Sequence, residues 1–109
     1  MQVLVRHDDT IQGGEHLIRI VTAAVEGGLH RFVDRITTVE VHLADENGHK
    51  TGGDDIRATV EVHLAGRPPL VVKHHAEQLV IALEAAVDKM ARMLDSQLDK
   101  LRNHAVANG

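Results

Sequence analysis

Histidine is the residue best placed to do chemistry in this 109-residue chain, which carries nine of them. Imidazole changes charge near neutral pH and ligates transition metals. His42 and His63 sit in two alternating segments, each two residues after a glutamate, Glu40 or Glu61. A metal needs its ligand atoms converging about 2.0–2.2 Å from one point. Antiparallel pairing of the two segments puts His42 near Arg57 or Thr59, and His63 near Ile36 or Thr38. The imidazoles are then several residues apart along a sheet, and solvated side chains are the expected state. His74-His75 is adjacent in sequence at a strand end, which splays the two rings apart. No metal and no cofactor is expected.

Other reactive groups are scarce. Asp8-Asp9 and Asp54-Asp55 are neighbouring carboxylates in loops, where solvation is the ordinary state. No G-x-S-x-G, H-E-x-x-H, P-loop or dinucleotide glycine pattern occurs. There is no Cys, which excludes thiolate metal sites, disulfides and Cys nucleophiles. No general acid–base pair can be nominated, and an enzyme is not expected. Phe32 is the sole aromatic, so recognition by stacking bases on rings is disfavoured. A formal charge of −4 argues against coating nucleic acid by bulk charge. It leaves room for a local basic face, because screening makes the contacting surface decide.

Such a face is found on the last third of the chain. From Ala76 to about His104 the sequence reads as one helix, free of Gly and Pro. Leu83, Val87, Met90, Leu94, Leu98 and Leu101 recur at helical spacing. Burying six such side chains contributes on the order of 10 kcal/mol, which makes this helix the main wall of the core. Roughly opposite the stripe fall Lys89, Arg92, Ser96, Lys100 and Asn103, with Asp99 among them. A solvated face that complements the helix dipole is the plainer reading of these charges. Three cations in line would also follow a phosphate backbone.

The remaining segments must position that helix. Gln2–His7 reads as a strand with Val3 and Val5 inward. A helix begins between Ile11 and Glu15 and reaches about Phe32, with Leu17, Val21, Ala24, Val25, Leu29 and Phe32 as its stripe. Gly27-Gly28 weakens its last turns or allows close packing against the sheet. Ile36–Leu43 and Ile56–Leu64 alternate apolar and polar, as strands with one wet face do. Between them Asn47-Gly48 and Gly52-Gly53 signal turns. Pro68-Pro69 reverses the chain into a fourth strand, from Leu70 to Lys73 or His74. His75 then precedes the long helix, and Glu77 occupies its first turn. The order is β-α-β-β-β-α: a parallel first pair, two antiparallel hairpins, and both helices on one sheet face. This is an α/β (α+β) two-layer sandwich. The length suits one domain. No 18-residue apolar stretch or signal pattern is present, and a cytoplasmic protein without membrane contact is expected.

Several segments together resemble the ribosome hibernation-promoting factors and ribosome-associated translation inhibitors of bacteria. They are Met1-Gln2-Val3 with Arg6-His7, Arg31 to Ile36, Val60 to Gly66, and Ala82 to Met90 followed by Arg92 and Lys100. The resemblance spans nearly the whole chain in order. It implies a double-stranded-RNA-binding-like fold and a single ribosome-binding-like domain over residues 1–104, with 105–109 as a short tail. It implies binding to the small ribosomal subunit through rRNA, in the mRNA and tRNA channel, with steric block of translation under stress. Lys89, Arg92, Lys100 and Arg6 match the family's basic positions, as do Arg31 and Arg35. The first helix lacks the lysines usual in the family, and Ser96 and Leu98 replace further basic residues. A divergent member acting as a protein-interaction module, a homodimer included, is the alternative. The chain resembles the short form, which lacks the domain that pairs ribosomes.

Overall fold

The computed structural model describes residues 1–46 and 55–108, the side chains of residues 100–108 excepted. The alternating segments are strands: β1 (Gln2–His7), β2 (Ile36–Asp45), β3 (Ile56–Leu64) and β4 (Leu70–Ala76). They form one sheet in the order β1-β2-β3-β4. β1 runs parallel to β2, with Val3 beside Val39 and Val5 beside Val41. β2 and β3 are antiparallel, as are β3 and β4. The helices α1 (Glu15–Leu29) and α2 (Leu79–Asn108) complete the expected β-α-β-β-β-α order. A 3-10 turn, His30–Phe32, continues α1 to the expected end at Phe32. The turns expected at Asn47-Gly48 and Gly52-Gly53 lie outside the described residues.

Alternation decides which sheet face is covered. Val39, Val41, Leu43, Val60 and Val62 are wholly buried beneath the helices, while Glu40, His42, Glu61 and His63 face away from them. α1 contributes Leu17, Val21, Val25 and Leu29, a strict four-residue spacing on one side of the helix. α2 contributes Leu83, Met90 and Leu94, all without solvent exposure. Leu98 is only partly buried. Among the described residues every buried side chain is apolar, so the interior makes no polar demands. None of the described helices is long and apolar enough to cross a membrane.

α1 starts at Glu15, the last of the expected starts, behind Gly14, whose φ of 103° is open to glycine and strained for other residues. No side chain caps this end, and Glu15 offsets the lost cap through the dipole. α2 starts at Leu79, not Ala76. β4 continues through His75 and Ala76 because β3 offers Arg57 and Ile56 as partners, and the Ala76 side chain is buried. His75 is therefore a strand residue. Glu77 lies before the helix and cannot compensate its dipole; the first turn holds no acidic residue. At the far end α2 extends to Asn108, past the expected stop near His104.

The glycine pair in α1 resolves into two roles. A Cβ on Gly28 would stand 2.3 Å from Val87 Cγ1, whereas one on Gly27 would meet open space. Close packing does occur at Gly28, but against α2 rather than the sheet.

Candidate nucleic-acid interface

The six basic positions fall in three places. Arg6 lies on the uncovered sheet face at β1, an edge strand. α2 packs over β3 and β4, away from that edge, on the opposite face. Arg6 thus does not join α2 in one continuous strip. Lys89 leans toward the other edge, where its Nζ donates a 2.7 Å hydrogen bond to the Lys73 carbonyl of β4. That contact anchors the side chain while leaving its charge uncancelled. Arg92 leans the other way, into a groove of about 530 Å³ between α1 and α2. Arg31 lines the same groove. The side chain of Lys100 lies outside the described residues.

The third place is one end of the molecule, and here the sequence reading missed a member. Arg35, just before β2, lines a small hollow with Arg67 and Leu98. Arg67 belongs to the turn after β3, where its amide donates to the Leu64 carbonyl at 3.2 Å. Turn residues carry no periodicity, so only the topology could bring Arg67 beside Arg35. Arg31 stands nearby on the 3-10 turn, with its guanidinium 4.5 Å from the Phe32 ring centroid. Arg31, Arg35 and Arg67 are all exposed.

Carboxylates temper this end. Arg31 is ion-paired with Asp95, and Arg92 Nη2 lies 3.3 Å from Asp88 Oδ2. All four side chains are at least half exposed. Ion pairs this wet are worth about 0–1 kcal/mol, so a phosphate can exchange with either Asp at small cost. The arrangement can grip a phosphate backbone through five described cations. It offers no nucleophile, base or oxyanion donor set.

The uncovered face of β2 and β3 has its own chemistry. His42 pairs with Thr59 and His63 with Thr38, so the imidazoles are as far apart as the register expectation had them. The carboxylates are not. Glu40 and Glu61 are direct cross-strand partners, and His63 Nε2 lies 2.9 Å from Glu61 Oε2. Glu40, Glu61 and His63 offer ligand atoms that all fall within 4.8 Å of one another. A signal for this was in the sequence: residues 38–44 and 59–65 are the same heptapeptide, Thr-Val-Glu-Val-His-Leu-Ala. Reading the histidines as a pair passed over the glutamates that the repeat sets face to face.

Elsewhere the uncovered face holds a shared carboxylate. Glu46 Oε1 accepts from Arg57 Nη1 at 3.1 Å and lies 3.2 Å from His75 Nε2. This trio ties the end of β4 to the end of β2. It occupies Arg57 in holding the sheet together.

Comparison with known proteins agrees with the fold. The Thermus thermophilus Protein Y N-terminal domain superposes with a TM-score of 0.67 at 19% identity, over 85% of this chain and 94% of that one. A ribosomal subunit interface protein from Coxiella burnetii gives 0.70 at 11% identity, over 91% and 99%. No curated protein sequence matches the chain. Residues 7–102 match the family described as Sigma 54 modulation protein / S30EA ribosomal protein. That span takes in α1, all of β2, β3 and β4, and most of α2. It agrees with the resemblance carried by the Arg31 to Ile36 and Ala82 to Met90 segments. On this match, the chain belongs to the Sigma 54 modulation protein / S30EA ribosomal protein family.

Proposed function

We propose that this protein binds the small ribosomal subunit through rRNA phosphates and blocks translation by occupying the mRNA and tRNA channel. Family membership supports the reading, as does the likeness to a protein named for the ribosomal subunit interface. The observation that carries it is the set of exposed guanidinium groups at one end, Arg31, Arg35 and Arg67, continued along α2 by Arg92 and Lys89. Lys100 follows on the same helix. The mechanism is steric: a rigid folded domain excludes the ligands of translation and keeps inactive ribosomes intact under stress. Arg6 contributes only where rRNA also reaches the uncovered sheet face.

Co-sedimentation with purified small subunits at several salt concentrations tests this. Association should weaken steeply with salt, as phosphate contacts release counterions. Lys89→Glu with Arg92→Glu should abolish it. Failure of the unaltered protein to associate at low salt overturns the reading.

A second reading rests on a different observation. Val80 and Ile81 in the first turn of α2, and Ile18 on α1, are large apolar side chains about half exposed. Val80 borders a cleft of about 420 Å³ with Ile11, Leu17 and Ile20. A protein-interaction module, a homodimer included, would use that end of the molecule. A concentration-dependent dimer that forms without rRNA, and is lost in Val80→Glu, would favour this second reading.

A further inference from the structure

We propose that Glu40, Glu61 and His63 form a divalent transition-metal site on the uncovered face of the β2–β3 pair, suited to Zn²⁺. The site is independent of ribosome binding. Two facts of geometry lead to it. The ligand atoms already lie within 4.8 Å of one another. An ion about 2.1 Å from each ligand needs them roughly 3.4 Å apart in a tetrahedron, so side-chain shifts of about 1 Å seat three ligands and leave the fourth position open. The three residues come from two neighbouring strands deep in one sheet, a rigid base for ligands.

The second fact is an unmet charge. Like charges directly opposite on paired strands destabilise a sheet. In the register row Leu4, Glu40, Glu61, Val71, neither outer neighbour is a cation. Arg6 and Lys73 stand one row away at the two edges, and neither makes an ion pair with Glu40 or Glu61 among the described contacts. The Glu61 side chain is only 32% exposed and that of His63 38%, so water screens the pair incompletely. Among the described contacts, only that of His63 reaches these carboxylates, through Glu61. A cation between them would remove the repulsion and make His63 a ligand instead of a lone partner.

The repeated heptapeptide gives the site symmetry. Copies 38–44 and 59–65 pair antiparallel about their glutamates, so Glu40 faces its own counterpart Glu61. The local two-fold axis passes between them and relates His42 to His63. Glu40, Glu61 and His63 are a carboxylate and imidazole set, with His42 too far along the sheet to join it. Such a set selects Zn²⁺ or Cu²⁺ over Mg²⁺ and Ca²⁺, which prefer oxygen ligands alone. Bound there, the ion would staple β2 to β3.

Titration calorimetry of the metal-free full chain with Zn²⁺ alone tests the site. One Zn²⁺ per chain is expected, with a rise in Tm on binding and no response to Mg²⁺. Glu61→Gln and His63→Asn should each weaken binding at least tenfold, and His74→Asn with His75→Asn should leave it unchanged. Metal-free Glu61→Gln should be no less stable than the unaltered chain, because it loses a like-charge contact. If that variant does not fold, Glu40→Gln reads the same cluster. Absence of saturable Zn²⁺ binding overturns the proposal. So does binding that survives both Glu61→Gln and His63→Asn, which would mark the metal as held by other histidines.

Discussion

Gly28 of α1 packs against Val87 of α2 with no room for a methyl group between them. A Cβ there would approach Val87 Cγ1 to 2.3 Å. Val87 is buried and β-branched, so its χ1 has little freedom to yield. Gly28→Ala should therefore destabilise the fold by about 1–3 kcal/mol through overpacking, despite alanine's better helix propensity. One residue earlier the sign reverses. Gly27 faces open space in the same helix, and Gly27→Ala should stabilise by about 0.5–1 kcal/mol. Urea denaturation of the two variants checks both signs. If both stabilise, the helices do not depend on close approach at Gly28.

The two helices also differ in how much of the core each one holds. Leu94 of α2 is wholly buried. Leu17 of α1 is slightly exposed and borders the cleft beside Val80, where water can reach a truncated site. Leu94→Ala leaves a sealed cavity and should cost about 3–5 kcal/mol; Leu17→Ala should cost about 2–3 kcal/mol. Equal midpoints in chemical denaturation would contradict the ranking.

How much of this could be read in the chain depends on what kind of order each feature has. Periodic features were legible. The stripes Leu17-Val21-Val25-Leu29 and Leu83-Val87-Met90-Leu94 and the alternation in β2 and β3 specify faces, and faces specify layers. Antiparallel pairing across the loop put His42 near Arg57 or Thr59, and its partner is Thr59. The boundary at Ala76 was not legible, because His74-His75-Ala76 is neutral between strand and helix until β3 supplies partners. The basic positions were legible as residue types only. Arg92 and Lys89 are three residues apart on one helix, yet one turns to α1 and the other to β4. Arg67 joins Arg35 only through the turn after β3, which sets residues 32 positions apart around one hollow.

Acid sensitivity should appear at the end of β1. Asp8 accepts hydrogen bonds from the Thr10 hydroxyl and, at 3.1 Å, from the Thr10 amide. The hydroxyl contact above all holds the Asp8 carboxyl below its usual value of 3.8, with burial opposing. A depressed carboxylate pKa contributes stability above the unfolded value, and that stability is lost as pH falls through the folded pKa. Thr10 also ties β1 to β2, since the Asp45 amide donates to its Oγ1 at 3.3 Å. Thr10→Val should return the Asp8 titration midpoint toward 3.8. It should also reduce stability more at neutral pH than in acid below the Asp8 midpoint. Carboxyl NMR titration, with denaturation curves at several pH values, reads both effects. An unmoved Asp8 midpoint would show that the hydroxyl contact does not set it.

Removing acidic partners should strengthen binding to rRNA if the guanidinium groups contact phosphate. Asp95 engages Arg31 and Asp88 engages Arg92, and each Asp competes with RNA for its cation. Both pairs are exposed, so Asp88→Asn with Asp95→Asn should change stability by less than about 1 kcal/mol. The variant carries two fewer negative charges beside the proposed contact surface, which lowers repulsion as well as competition. Small-subunit binding should tighten several-fold at moderate salt. Its dependence on salt should steepen, since each added phosphate contact contributes roughly 0.7–0.9 to the slope of log K against log salt. Binding that tightens without a steeper slope would mean the gain is long-range attraction alone. Binding that does not tighten at all would place the rRNA contact away from Arg31 and Arg92, leaving Arg35, Arg67 and Lys89 as the cations to examine next.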